Sequence, residues 1–351
     1  MKPEEPLILC ENTILKLVDY VLLNSCSASS LGLYDGKSGI ALTLFEVSRY
    51  LQDEYIEELS LMLLQESLLI KSDDISFSNG LSGVGFSLMY LIQHSFVKAD
   101  FFELFQDNLN RIILKLEQWE AQDKIVYLVE NMEIVNLLDC IPICISFDRD
   151  KRDYFIRLLF SATQDFLIDQ FNKIHFYSNE YLISNVMNYY SRYLKLINNI
   201  SKYKPPYSLL INYAKLYHQN RLVSDFSIGH HLNFIIPKAG NNEAIKAVAH
   251  DNMKYAALNI HLDSITLSEK INLLYLFSFY KNIYNKQILL LERALFCFKN
   301  EEAFENNLFK DIPSIHPIDS YQFGIPRLLL YWIYSNNMQN INTYDRFKLL
   351  F

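Results

Sequence analysis

One ten-residue element occurs twice near the start of the chain, and it constrains the fold more than any other feature. Leu33-Tyr34-Asp35-Gly36-Lys37-Ser38-Gly39-Ile40-Ala41-Leu42 aligns with Phe77-Ser78-Asn79-Gly80-Leu81-Ser82-Gly83-Val84-Gly85-Phe86. Gly36 and Gly80 lie 44 positions apart, and so do Gly39 and Gly83. Self-similarity at a fixed spacing signals stacked units that bury a core only by packing on their neighbours. In both copies G-x-S-G opens an apolar run with helical spacing. Six of the nine glycines lie in or beside these two copies, so the rest of the chain is free to form long helices.

Between the copies, Asp53 to Leu69 reads as an outer helix. Leu59, Met62, Leu63 and Leu69 recur at helical spacing among Glu54, Glu57, Glu58 and Glu66. Each unit is then inner helix, turn, outer helix and loop. Glycine at the start of a helix permits positive φ and lets a neighbouring backbone come close. Asp35 and Asn79 read as caps that accept from free backbone N–H groups, with a binding role as the alternative.

Weaker copies can be laid on the element further along. Asp139-Cys140 in Leu138 to Cys144 matches Asp35-Gly36. His230 in Ile228-Gly229-His230-His231-Leu232 takes the Asp35 position. Tyr321-Gln322-Phe323-Gly324-Ile325-Pro326 places Gly324 at the Gly36 position. Leu267 to Tyr280 is helical without a motif. Asn185 to Asn198 has helical spacing, Lys204-Pro205-Pro206 is a break, and Ser208 to His218 is a helix leading to His230.

Half of the 351 residues are apolar and a fifth are charged, which suits a large buried core and excludes general disorder. The net charge is −8, with no basic block, so nucleic acid is not an expected partner. No run of eighteen apolar residues suggests a membrane span, and Glu4 and Glu5 stand where a signal peptide carries basic charge. Five cysteines at 10, 26, 140, 144 and 297 form no disulfide framework, which points to a reducing cytoplasm.

Several residues invite sharper readings. Gly36-Lys37-Ser38 suggests a phosphate loop, but that motif needs glycine where Leu31 stands, and Leu81 replaces Lys37 in the second copy. Cys140 and Cys144 would share a helical face and supply half a zinc site, although Pro142 lies between them and core packing is the plainer role. His230 is the candidate acid or base near neutral pH, with His231 beside it; a polar pair lining a loop is the alternative. Tyr321 and Gln322 would line a pocket or an interface.

The run G-L-Y-D-G-K-S-G-I-A-L, followed by F-S-N-G-L-S-G-V-G, resembles the first two repeats of the lanthionine synthetase C-like (LanC-like) family. The resemblance is specific over residues 31 to 93, moderate at 225 to 240 and faint elsewhere. It implies an α/α toroid, complete or incomplete: a single domain over 1–351, of seven helical hairpins in the family against five or six countable here. It also implies cyclisation of dehydrated peptides by a zinc-bound thiolate, with zinc held by a W-C-x-G and a C-H-G element. Gly229-His230-His231 is similar to the family's A-H-G histidine element. The zinc elements are replaced: no Trp-Cys or Cys-His pair occurs, and Gln322-Phe323-Gly324 stands where C-H-G belongs. The expectation is a zinc-less relative, without cofactor, that binds a peptide or a modification enzyme. An active cyclase or other enzyme using His230 is one alternative. A helical-repeat adaptor without chemistry is another.

Overall fold

A computed structural model describes residues 11–25, 28, 30–143, 147–174, 179–200, 202–219, 222–239, 242–262, 265–296 and 324–336. These residues form fifteen α-helices and no strand. The chain is all-α, as its periodicity and scarce glycines predict. It divides into two compact units, residues 1–112 with 261–351, and residues 113–260.

The first unit contains α1 (Glu11–Ser25), α2 (Lys37–Leu51), α3 (Glu54–Leu69), α4 (Leu81–Gln93), α13 (Leu267–Ser278), α14 (Lys281–Phe296) and α15 (Ile325–Asn336). The boundary at Ile112 falls inside α5 (Phe101–Ala121). α15, α2 and α4 lie side by side, with α13 against α15. Each of α15, α2 and α4 begins one residue after a glycine: Gly324, Gly36 and Gly80. α2 is buried without interruption from Ser38 to Ser48, and α4 from Leu81 to Leu91. A helix enclosed on every side needs an apolar surface all round, which is why neither run shows a polar stripe in sequence.

α3 packs on α2 as an outer helix, with Asp53 capping it through bonds from the Tyr55 and Ile56 N–H groups. Its buried face differs from the one expected. Ile56, Ser60, Leu63, Leu64 and Ser67 turn inward, while Met62 and Leu69 are exposed. The leucine and methionine period points to the other face, and serines carry no apolar signal. Ser60 and Ser67 hydroxyls donate to the carbonyls of Ile56 and Leu63, one turn back, so they bury without an unmet donor. Their small side chains let α3 lie close on α2.

The second unit is a run of alternating neighbours: α6 (Ile125–Glu130), α7 (Ile134–Cys140), α8 (Arg149–Lys173), α9 (Glu180–Asn199), α10 (Tyr207–His218), α11 (Phe226–Ala239) and α12 (Glu243–Leu258). α9 packs on α11 in one layer, while α8, α10 and α12 adjoin one another in sequence in the other. Lys204-Pro205-Pro206 breaks the chain as expected, and Pro206 starts α10.

Tyrosines of α9 and α10 fill the space where those helices meet α8 and α12. Tyr190, Tyr193 and Tyr213 are among the largest fully buried side chains, with the rings of Tyr190 and Tyr213 4.7 Å apart. Burial raises all three hydroxyls above the ordinary tyrosine value. The unfolded chain therefore ionises first, so stability is full below about pH 10 and falls as pH climbs toward the folded values. In an alkaline titration, exposed tyrosines should give phenolate absorbance first. The last phenolates should appear only as the helical circular dichroism of the protein is lost. Complete ionisation with the helices intact would contradict this account.

Candidate functional site

The two glycine elements form one structure in the first unit. Each closes the same loop at its helix start. Lys37 N–H donates to Ser30 O at 3.2 Å, and Leu81 N–H donates to Asp74 O at 2.9 Å, both seven residues back. The loops then bond to each other. Leu31 and Gly32 N–H donate to Asn79 O, Leu33 N–H to Phe77 O, and Tyr34 and Asp35 N–H to Ser78 O. One hydroxyl repeats as well: Thr43 donates to Gly39 O and Ser87 to Gly83 O, each at 3.0 Å.

Close approach, and not unusual φ, explains the glycines. Gly36 and Gly80 sit at φ −132° and −118°, ordinary extended values. A Cβ on Gly83 would fall within 3 Å of both Leu33 N and Phe77 O, the donor and acceptor of one inter-loop bond. A Cβ on Gly32 would fall within 3 Å of Ser78 O.

The capping roles expected of Asp35 and Asn79 are not what the structure shows. The residue at each helix start is the glycine itself, with no side-chain cap. Asn79 is exposed and acts through its backbone carbonyl, and Asp35 contributes its N–H to Ser78 O and its carbonyl to the Ser30 hydroxyl. The loops satisfy the first helical N–H groups with their own carbonyls.

The same 44-residue spacing brings a carboxylate to a phenol. Glu46 in α2 and Tyr90 in α4 are equivalent positions, and the Tyr90 hydroxyl donates to Glu46 Oε1 at 2.5 Å. Both side chains are buried. A buried carboxylate is tolerated when donors meet it. This pair was not singled out from sequence, although a lone glutamate inside the apolar run of α2 was a signal. α2 is further anchored at its end by Arg49, which donates to His94 O and lies 3.3 Å over the Phe96 ring.

Gly324 takes up the position expected of it, immediately before α15, whose Trp332 meets the Tyr50 ring of α2 edge-on at 4.8 Å. Tyr321 and Gln322 lie outside the described residues.

In the second unit, Gly229-His230-His231 stands inside α11 and not at a loop before a helix. The helix begins at Phe226, where Asp225 Oδ1 accepts from Ile228 N–H. The alignment on the N-terminal element is therefore out of register: the true helix start carries an aspartate cap, which the first two copies lack. His230 and His231 are both buried, with rings 5.0 Å apart and nearly perpendicular, and Phe234 lies 4.9 Å from His230. Gly229 lets α11 lie against α12, since a Cβ there would meet Ala249 O and Met253 Cγ at 2.7 Å.

Below Gly229 sits Asn252, fully buried in α12. Its Oδ1 accepts from the Tyr213 hydroxyl at 3.0 Å and from Asp225 N–H at 2.9 Å, and its Nδ2 donates to Val248 O at 2.8 Å. One side chain thus ties α12 to α10 and to the start of α11. Arg192 does similar work between α9 and the start of α7, with two bonds to the Glu133 carboxylate and one to Glu130 O. Neither residue has a local sequence signature, because the partners that tie one helix to another lie 27 to 62 positions away.

The half-zinc-site reading of Cys140 and Cys144 loses its helical premise. α7 ends at Cys140, and Ile141 is extended. Cys144 lies outside the described residues. Burial and the neighbouring Asp139 charge push the Cys140 thiol up, away from the thiolate a metal needs, and the thiol donates to Leu137 O. Among the described residues no three His, Cys, Asp or Glu side chains converge as metal ligands would.

Among the described residues, no helix is long and apolar enough to cross a membrane. Comparison with protein-family models, with curated proteins and with solved structures gives no match to this chain.

Proposed function

We propose that this chain is a divergent LanC-like protein of peptide maturation that binds a peptide or a modification enzyme and does not itself add a thiol to a dehydrated residue. The observation that carries the reading is the row α15, α2, α4. Three helices stand side by side, each opening after a glycine, and two of the openings bond to each other backbone to backbone. Such a row is what the resemblance implies for an inner ring.

Binding is favoured over catalysis by the chemistry of the motifs. Gln322 and Phe323 replace the Cys-His zinc pair, and a thiol without a metal or an adjacent base is a weak nucleophile at neutral pH. His230, the one family-like site histidine, is buried between His231 and Phe234 on a packed helix. It acts there by shape more readily than by exchanging protons with a substrate.

The test uses a peptide carrying one dehydroalanine and one cysteine. Titration calorimetry follows binding, alkylation of the remaining thiol follows ring closure, and elemental analysis after dialysis without chelator follows zinc. The expected result is binding with the thiol retained and zinc well below one per chain. Thiol consumption that depends on zinc or is lost in His230→Ala would establish a cyclase and end this reading. Absence of any binding to such peptides would retire the peptide-binding part and leave a partner-binding role.

A further inference from the structure

Two outward faces of the first unit share a sequence period and carry opposite charge. On α3, Tyr55, Met62 and Leu69 are 67%, 52% and 81% exposed, at steps of seven residues. Glu54 and Glu58 lie on the same side, and α3 holds four glutamates and no lysine or arginine. A seven-residue apolar period marks a seam between two packed helices. The seam with α2 lies elsewhere on α3, along Ile56, Ser60, Leu63, Leu64 and Ser67. The Tyr55–Leu69 stripe is thus a second seam.

α14 presents the counterpart. Tyr284, Ile288, Leu291 and Leu295 face inward. Opposite them, Ile283 and Leu290 are 69% and 44% exposed, seven residues apart. Lys286 and Arg293, also seven apart, are exposed beside them. The helix is irregular at Tyr284, so the regular part of the stripe is Lys286, Leu289, Leu290 and Arg293.

We infer that α3 of one copy docks on α14 of a second copy of this chain. Charge decides the occupant. An α3–α3 contact would set glutamates against glutamates, and an α14–α14 contact would set Lys286 and Arg293 against themselves. Only the unlike pairing covers both apolar stripes with opposite charges beside them. The pairing is met either in a two-fold dimer, where the α3 of each copy meets the α14 of the other, or head-to-tail, where copies close into a ring or continue as a chain. Its electrostatic part is screened as salt rises, the Debye length shrinking to about 3 Å at 1 M.

The experiment is sedimentation velocity on the full chain at low and at high salt, with E54K/E58K and K286E/R293E as variants. All four positions are exposed, and circular dichroism checks that both variants fold. Wild-type protein should exceed the monomer mass at low salt and dissociate at high salt. Each variant alone should associate at least tenfold more weakly. An equimolar mixture should recover association, because the basic α3 of one variant meets the acidic α14 of the other. A wild-type protein that stays monomeric would overturn the inference. So would association that one or both swaps leave intact, or a mixture that fails to recover it.

Discussion

Gly83→Ala should be the most damaging single-methyl substitution in the first unit. The new Cβ falls within 3 Å of both Leu33 N and Phe77 O, which are bonded to each other at 3.1 Å. It would stand between donor and acceptor. Both are backbone atoms held by the neighbouring bonds of the same loop pair, so neither can swing aside as a side-chain end would. Overpacking costs about 1–3 kcal/mol where the surroundings give, and more where they do not, and the lost backbone bond adds about 1 kcal/mol. A total of about 3–4 kcal/mol is expected, which lowers the melting midpoint of a unit this size by roughly 10 °C. Asn79→Ala is the matching control. Asn79 is exposed and its bonds to Leu31 and Gly32 use its main-chain carbonyl, so the change should stay within about 0.5 kcal/mol. Thermal melts of the two variants decide the matter. Equal effects would mean that side-chain capping, and not backbone contact, holds the loops.

Asn252→Leu should be comparably severe in the second unit. Both side chains branch at Cγ into two terminal heavy atoms, so the shape is kept, while the bulkier methyl groups add an overpacking cost in this tight site. What changes is that the Tyr213 hydroxyl and Asp225 N–H lose their acceptor at a buried site. Each orphaned donor costs about 1–3 kcal/mol, giving about 2–5 kcal/mol in all. Tyr213→Phe removes one donor and leaves Asn252 still accepting from Asp225, so it should cost only about 1 kcal/mol. The double variant should be less destabilised than the sum of the two singles, because the orphaned hydroxyl is no longer there. Denaturant melts of the three variants test this. Strict additivity would show that Asn252 and Tyr213 do not share their energy as the geometry requires.

The class of fold was legible because it rests on local rules. Scarce glycine and proline and long apolar periods specify helices, and the break at Lys204-Pro205-Pro206 follows from residues that act on their own backbone. The 44-residue spacing was legible too, and it foretold that positions 36 and 80 open equivalent helices. It did not foretell that the two loops bond to each other, or that equivalent positions 46 and 90 meet as carboxylate and phenol. Spacing identifies like positions, but only stacking decides whether like positions touch.

The structure departs from the sequence expectations where tertiary neighbours decide. The side chains of Asp35 and Asn79 have the chemistry of caps, but the loop carbonyls of Ser30 and Asp74 already accept from the first helical residues. The Gly229-His230-His231 run resembles the helix starts of the first copies, whereas Asp225 caps the helix one turn earlier and Gly229 serves contact with α12. On α3, serines took the buried face because close packing on α2 rewards small residues whose hydroxyls bond one turn back. The sequence by itself determined which segments are helices and where two of them repeat. Tertiary structure decided which face of each helix is buried, which polar groups find partners, and what each glycine is for. Those depend on neighbours brought close in space from far along the chain, and no local pattern encodes them.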